Sequence, residues 1–140
     1  MKFKYLTTYG LVDTRGNTVR RPVVEIELLA ENGKNIPALG HIDSGADTTT
    51  VNIQYAEALG VKIDRTKTKH IIGIGDGQVP VYIAYLRFKI KHMDHEIEVP
   101  TWYVDSPNVN ILLGQEVFFD IHKIKFEKDH NVFEISCPSK

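Results

Sequence analysis

The chain has 140 residues, 42% hydrophobic and 25% charged, enough apolar side chains to bury one core without a disulfide or a structural metal. Its 17 basic and 18 acidic side chains leave a net charge of −1 with no block of either sign. That argues against an extended Lys and Arg surface of the kind nucleic acid or anionic lipid demands, and no apolar run approaches the roughly 18 residues of a membrane-spanning helix.

Short runs rich in Val, Ile and Tyr recur between turn residues, the pattern of an all-β domain. Pro22 to Ala30 and Asn35 to Ile42 flank Glu31-Asn32-Gly33-Lys34, which predicts a hairpin with a tight primed turn at Asn-Gly, ending at Asp43. Glu25 and Glu27 alternate with Val24 and Ile26 and read as the solvated face of its first strand. Asn52 is placed to cap a short helix with Ile53, Ala56 and Leu59 on one face and Gly60 as its stop. Val79 to Lys91 turns through His92-Met93-Asp94 and returns as Glu96 to Val104. His92 and His95 at this turn lack the spacing of a zinc site and read as scattered surface histidines, while Trp102 and Tyr103 read as core or interface. Gln115 to Phe119 has room for one or two helical turns, and Lys123 to Phe126 and Val132 to Ile135 make a last hairpin.

A degenerate internal repeat runs through these elements. The first half reads hairpin, apolar residues, Gly45, short helix; the second reads hairpin, Ile111-Leu112-Leu113-Gly114, short helix. Only the first half carries an acidic residue just ahead of its glycine. There, in His41-Ile42-Asp43-Ser44-Gly45-Ala46-Asp47, a small hydroxyl residue and a glycine let the backbone turn sharply and aim amide hydrogens back at the Asp43 carboxylate. Asp-Ser-Gly alone is an ordinary turn. Its apolar approach and two companion motifs change that reading.

Asp43-Ser44-Gly45-Ala46-Asp47 resembles the active-site motif of the retropepsin family, the retroviral-type aspartic peptidases and their cellular relatives. Ile72-Gly73-Ile74-Gly75-Asp76-Gly77 is similar to the family's glycine-rich flap, and Asn110-Ile111-Leu112-Leu113-Gly114 to the segment that passes beside the active-site loop. The resemblance covers roughly residues 22 to 127 and implies a single-domain retropepsin-like acid protease barrel over residues 1–140, with one or two short helices, active as a homodimer. It implies Asp43 as the catalytic carboxylate, Ser44 and Gly45 as the active-site loop and dimer lock, and His41, Asp47, Gly73, Ile74, Gly75 and Leu112 as substrate-binding residues. One departure stands out. The family often places Arg after the second motif's glycine, paired with the acidic residue matching Asp47; here the position is Gln115, so Asp47 is expected to lack that partner.

Peptide hydrolysis by paired carboxylates needs two of them sharing one proton. Since the second half offers no Asp-Ser/Thr-Gly, the second carboxylate is expected from another copy across a two-fold axis, acting on an extended polypeptide with no cofactor and no metal. Neither nucleic acid nor a membrane is expected as a partner. The alternative is a catalytically silent dimeric relative that binds extended peptides. A Ser44 nucleophile is disfavoured because no Gly-x-Ser-x-Gly elbow surrounds it, and a phosphate cradle at Gly73 to Gly77 because a strand follows rather than a helix. Cys137 is the only cysteine, which rules out an intramolecular disulfide or a thiolate cluster; with no signal-type apolar start, the expected setting is reducing and cytoplasmic.

Overall fold

The computed structural model of the chain describes residues 1–72 and 77–137. Twelve strands and short helical segments succeed one another among them. Val23–Leu28 (β4) and Ile36–Ile42 (β5) form the first expected hairpin, antiparallel with Leu28 opposite Ile36. Their connection spans seven residues, not the tight primed turn expected, and Gly33 alone takes positive φ, at 79°. Asn35 organises the longer loop: its Oδ1 accepts from the Ala30 amide at 3.1 Å and its Nδ2 donates to Glu27 at 2.8 Å.

Gln78–Ile90 (β8) and Ile97–Val104 (β9) make the second hairpin, and Thr68–Ile72 (β7) pairs with the outer end of β8. Thr49–Asn52 (β6) runs parallel to β9, and the two-residue strand Leu112–Leu113 (β10) slots between β5 and β6, parallel to the first and antiparallel to the second. The sheet order is β4-β5-β10-β6-β9-β8-β7, and a further pairing of β4 with β8 closes six of these strands into a barrel. Each of those six strands has a neighbour on both sides, with β10 reaching only His41 and Ile42 of β5 and Thr50 of β6. Inside lie Val24, Ile26, Leu28, Leu86, Phe88, Ile90, Val99, Tyr103 and Leu113, all buried. Burial of such side chains stabilises by about 1.5–3 kcal/mol each. Glu25 and Glu27 face outward as expected, and Glu25 pairs with Lys91 at 2.7 Å.

The short helix Gln54–Leu59 (α1) buries Ala56 and Leu59, and Gly60 stops it in a left-handed conformation at φ 71°. Ile53 rather than Asn52 is its capping residue by backbone position. Asn52 ends β6, and its side chain still accepts from the Gln54 amide at 2.9 Å. Gln115–Phe119 is helical only in outline: Val117 sits at φ 65° and kinks the segment so that Phe118 drops into the core against Phe88. A terminal sheet of Lys2–Lys4 (β1), Lys123–Glu127 (β11) and Val132–Ser136 (β12), in the order β1-β12-β11, lies beside the barrel. Leu6–Val12 (β2) and Thr18–Arg21 (β3) form a separate two-stranded hairpin with Tyr9, Leu11 and Val12 exposed. No helix among the described residues is long and apolar enough to cross a membrane.

Candidate active site

Asp43 leaves the end of β5 at the start of a loop that returns to β6 at Thr49. β10 and the residues after it hold this loop from one side. Going along it, the Asp43 amide donates to the Leu113 carbonyl at 3.0 Å, the Gln115 amide to Ala46 at 2.8 Å, and the Glu116 amide to Asp47 at 2.9 Å. The buried Thr49 hydroxyl accepts from the Gly114 amide at 3.1 Å. Gly114 is required for space rather than for backbone freedom. Its φ of −102° suits any residue, but a Cβ there would stand 2.7 Å from the Ala46 oxygen and the Thr48 carbonyl carbon.

Within the loop, the Gly45 amide donates to Asp43 Oδ1 at 2.9 Å, the inward-aimed hydrogen bond that Asp-Ser-Gly predicts. A Cβ on Gly45 would press on that same oxygen at 3.3 Å, so a glycine there keeps the amide and the carboxylate close. Ser44 and Gly45 are exposed and Asp43 is partly so, which leaves the loop's outer surface open. Gln115 has a role of its own: its Nε2 donates to the Ser44 carbonyl at 2.7 Å. It braces the loop through the backbone instead of through Asp47, which is exposed and forms no ion pair among the described residues. The departure from Arg thus changes which atom is held while the loop stays pinned.

His41 and Leu112 face each other across the β5–β10 pairing and share a groove of about 870 Å³. Its other walls come from Val23, Leu39, Thr50, Trp102 and Ile111, with Leu6, Thr7 and Arg21 at one side. Asp43 follows two residues after His41, just past the end of β5, and its charge acts on the His41 ring. Burial pulls the His41 imidazole below its ordinary pKa; Asp43 opposes that shift and Arg21 adds to it. A second crevice of about 600 Å³, lined by Glu25, Pro37, Leu39, Lys89 and Met93, touches none of the motif residues. The expected flap residues Gly73, Ile74 and Gly75 lie outside the described residues. The structure therefore brings together Asp43, Ser44, Gly45 and Asp47 on one loop, and His41 with Leu112 in the adjoining groove.

At Gln115 the sequence pointed to a lost partner for Asp47 rather than to a brace on Ser44, and Thr49 was not legible as a site residue, since a buried threonine carries no motif of its own. Nor was the pairing of His95. It is half-buried rather than a loose surface residue, and its Nε2 lies 2.9 Å from Nε2 of the buried His122. His122 Nδ1 is 2.8 Å from the Phe118 carbonyl, which can only accept. His122 therefore carries its hydrogen on Nδ1, and its Nε2 accepts from His95. Ring centroids 5.2 Å apart fit rings meeting nitrogen to nitrogen along one line, the geometry of a hydrogen bond rather than of two ligands converging on an ion. Among the described residues no three His, Cys, Asp or Glu side chains form a potential metal cluster.

Comparison with known proteins agrees with this architecture. The family described as "gag-polyprotein putative aspartyl protease" matches residues 29–119. Among curated proteins none matches significantly. The retroviral protease-like domain of Ddi1 from Leishmania major is similar at a TM-score of 0.55 and 15% identity, over 81% of this chain and 87% of that one. A retropepsin-like aspartic protease from Rickettsia conorii is similar at 0.56 and 14%, over 96% and 89%. A closed barrel that presents Asp-Ser-Gly on a loop pinned by an apolar-apolar-Gly strand defines the acid-protease class of fold. The chain belongs to the retropepsin-like aspartyl protease family, a family of aspartic peptidases.

Proposed function

We propose that the protein is an aspartic endopeptidase whose catalytic dyad is formed by Asp43 from each of two subunits. The observation that carries this reading is the loop itself. One carboxylate stands at the end of a barrel strand, its Oδ1 held by the Gly45 amide and its backbone fixed by Leu113, Gln115 and Glu116. Such fixation is what general acid–base chemistry needs, because the proton must move between atoms already in place. One carboxylate per chain does not suffice, and a two-fold axis beside the loop supplies the second. Two carboxylates a few Å apart share one proton and titrate as a unit. The ionised member takes a proton from water as the oxygen attacks the peptide carbonyl carbon, and the protonated member gives its proton to the carbonyl oxygen. Collapse of the tetrahedral intermediate breaks the C–N bond as the amide nitrogen is protonated. An extended polypeptide along the groove, held through its main chain in the manner of an added strand, is the substrate that fits. Ser44, Gly45, Asp47, His41 and Leu112 are the residues of this chain that flank it.

Asp43→Asn tests the reading. Asn preserves size and can still accept from the Gly45 amide, but it cannot act as base or share a proton. Loss of one member of an acid–base pair costs roughly 10²- to 10⁴-fold; a homodimer loses both, so cleavage of a diverse peptide mixture, followed by mass spectrometry, is expected to fall at or beyond the upper figure. The fold should be retained, as circular dichroism would report. Cleavage at the unsubstituted rate would remove Asp43 from the chemistry and leave a peptide-binding relative as the better account.

A further inference from the structure

We propose that His41 sets the side-chain preference of the groove, selecting substrates in which the residues flanking the scissile bond end in a carbonyl or carboxylate oxygen: Asn, Gln, Asp or Glu. The inference rests on the endopeptidase reading for the position of the bond, and on the groove itself for the chemistry. Register places His41 in a cross-strand row: Val23 on β4, His41 on β5, Leu112 on β10, Thr50 on β6 and Trp102 on β9 are each paired with the next. Paired residues share a face of the sheet. In that row His41 is the titratable side chain, set between Val23 and Leu112.

The His41 backbone amide is already used, donating to Ile111 at 3.0 Å, but its half-buried imidazole makes no hydrogen bond among the described residues. Occupation of the groove by a purely aliphatic side chain would strip water from this ring and return nothing, which is unfavourable for any polar group. An oxygen acceptor restores the bond. Arg21 lines the same groove and forms no ion pair among the described residues, so it attracts a substrate carbonyl or carboxylate, while the Asp43 carboxylate acts on the ring with the opposite sign. Because a two-fold dimer presents His41 twice, the preference should appear on both sides of the cleaved bond.

Two measurements separate this inference from the one beneath it. The first is kcat/KM on matched peptides carrying Gln, Glu or Leu at the residues flanking the cut, with the unsubstituted protein, His41→Leu and His41→Gln. The second is the affinity of the same peptides for the Asp43→Asn protein, with and without His41→Leu. Sites built to hydrogen-bond a substrate discriminate strongly against analogues that lack the group; for one half-buried imidazole about tenfold in favour of Gln and Glu is expected. The preference should reverse toward Leu in His41→Leu and persist in His41→Gln. The His41 ring has no hydrogen-bond partner among the described residues to lose, so His41→Leu should fold, and a melting curve checks this. Cleavage with no side-chain preference, or with one unchanged by His41→Leu, overturns the inference and leaves the peptidase reading standing. Discriminating affinity without any cleavage does the reverse, and absence of both removes the two together.

Discussion

Gly114→Ala is the substitution whose effect the geometry fixes best. The added Cβ would stand 2.7 Å from the Ala46 oxygen and the Thr48 carbonyl carbon, and 2.8 Å from the Thr48 oxygen. All three are backbone atoms, so no side chain can swing aside. Ordinary contact lies near 3.5 Å, which requires the loop to retreat by about 0.7 Å. Overpacking of this kind costs about 1–3 kcal/mol. The retreat also lengthens the bonds from the Gln115 and Glu116 amides to Ala46 and Asp47, now 2.8 and 2.9 Å, each worth about 0.5–1.5 kcal/mol if lost. A loss of about 2–6 kcal/mol follows, measurable as a shift in the urea midpoint at unchanged slope. Displacement of the loop by most of an ångström should also slow peptide hydrolysis by roughly 10²-fold. Gly77→Ala is a control for stability alone, because a Cβ there meets nothing within 4 Å among the described residues and should change stability by less than about 0.5 kcal/mol. A Gly114→Ala protein as stable and as active as the unsubstituted one would refute the reasoning.

Gln115→Ala removes the brace on the Ser44 carbonyl. The bond is exposed, so stability should fall by only about 0.5 kcal/mol, whereas turnover should drop several-fold through a looser loop; equal turnover would show that the backbone bonds suffice. The His95–His122 pair gives a pH dependence. Burial, with His95 adding to it, holds His122 below the ordinary histidine value of about 6.5, while the bond to Phe118 opposes the shift. Between the two values the unfolded chain binds more protons, so the contribution is complete above about pH 6.5 and is lost as pH falls through the lowered value. Unfolding free energies from urea titrations between pH 7.5 and 5 should decline by at most about 1.4 kcal/mol per pH unit from this proton. His122→Phe should flatten that part of the slope, and an equal slope in both proteins would show that His122 does not titrate there.

The three hairpins were legible because alternation between apolar and polar residues carries over several positions, as in Val24, Glu25, Ile26, Glu27. The two-residue strand Leu112–Leu113 was not legible as a strand. Two residues have no period, and its place between β5 and β6 is set by long-range pairing. The same holds for β1, which pairs with β12 from the far end of the chain, and for the exposed hairpin β2–β3, whose burial pattern has no alternation to read. In the connection after β4, the Asn-Gly signal lost to the Asn35 side chain, which organises a longer loop. Asp43, Ser44 and Gly45 were readable because their chemistry is local to three residues. Gln115 reaches Ser44 across 71 residues of sequence and Thr49 reaches Gly114 across 65, relations that only the folded barrel creates.

The terminal sheet bears on how folding relates to assembly. β1 finds its partner β12 within its own chain, β12 is flanked on its other side by β11, and the Met1 amino group donates to the Ile135 carbonyl at 2.8 Å. Every strand of this sheet has a partner inside the chain, and β1 and β11 form its two outer edges. In obligate dimers that weave their ends together, folding and association are one concentration-dependent event. With β12 paired on both sides within one chain, dilution is expected to divide the proposed dyad without undoing the barrel that carries each half of it, and far-UV circular dichroism across a dilution series checks this.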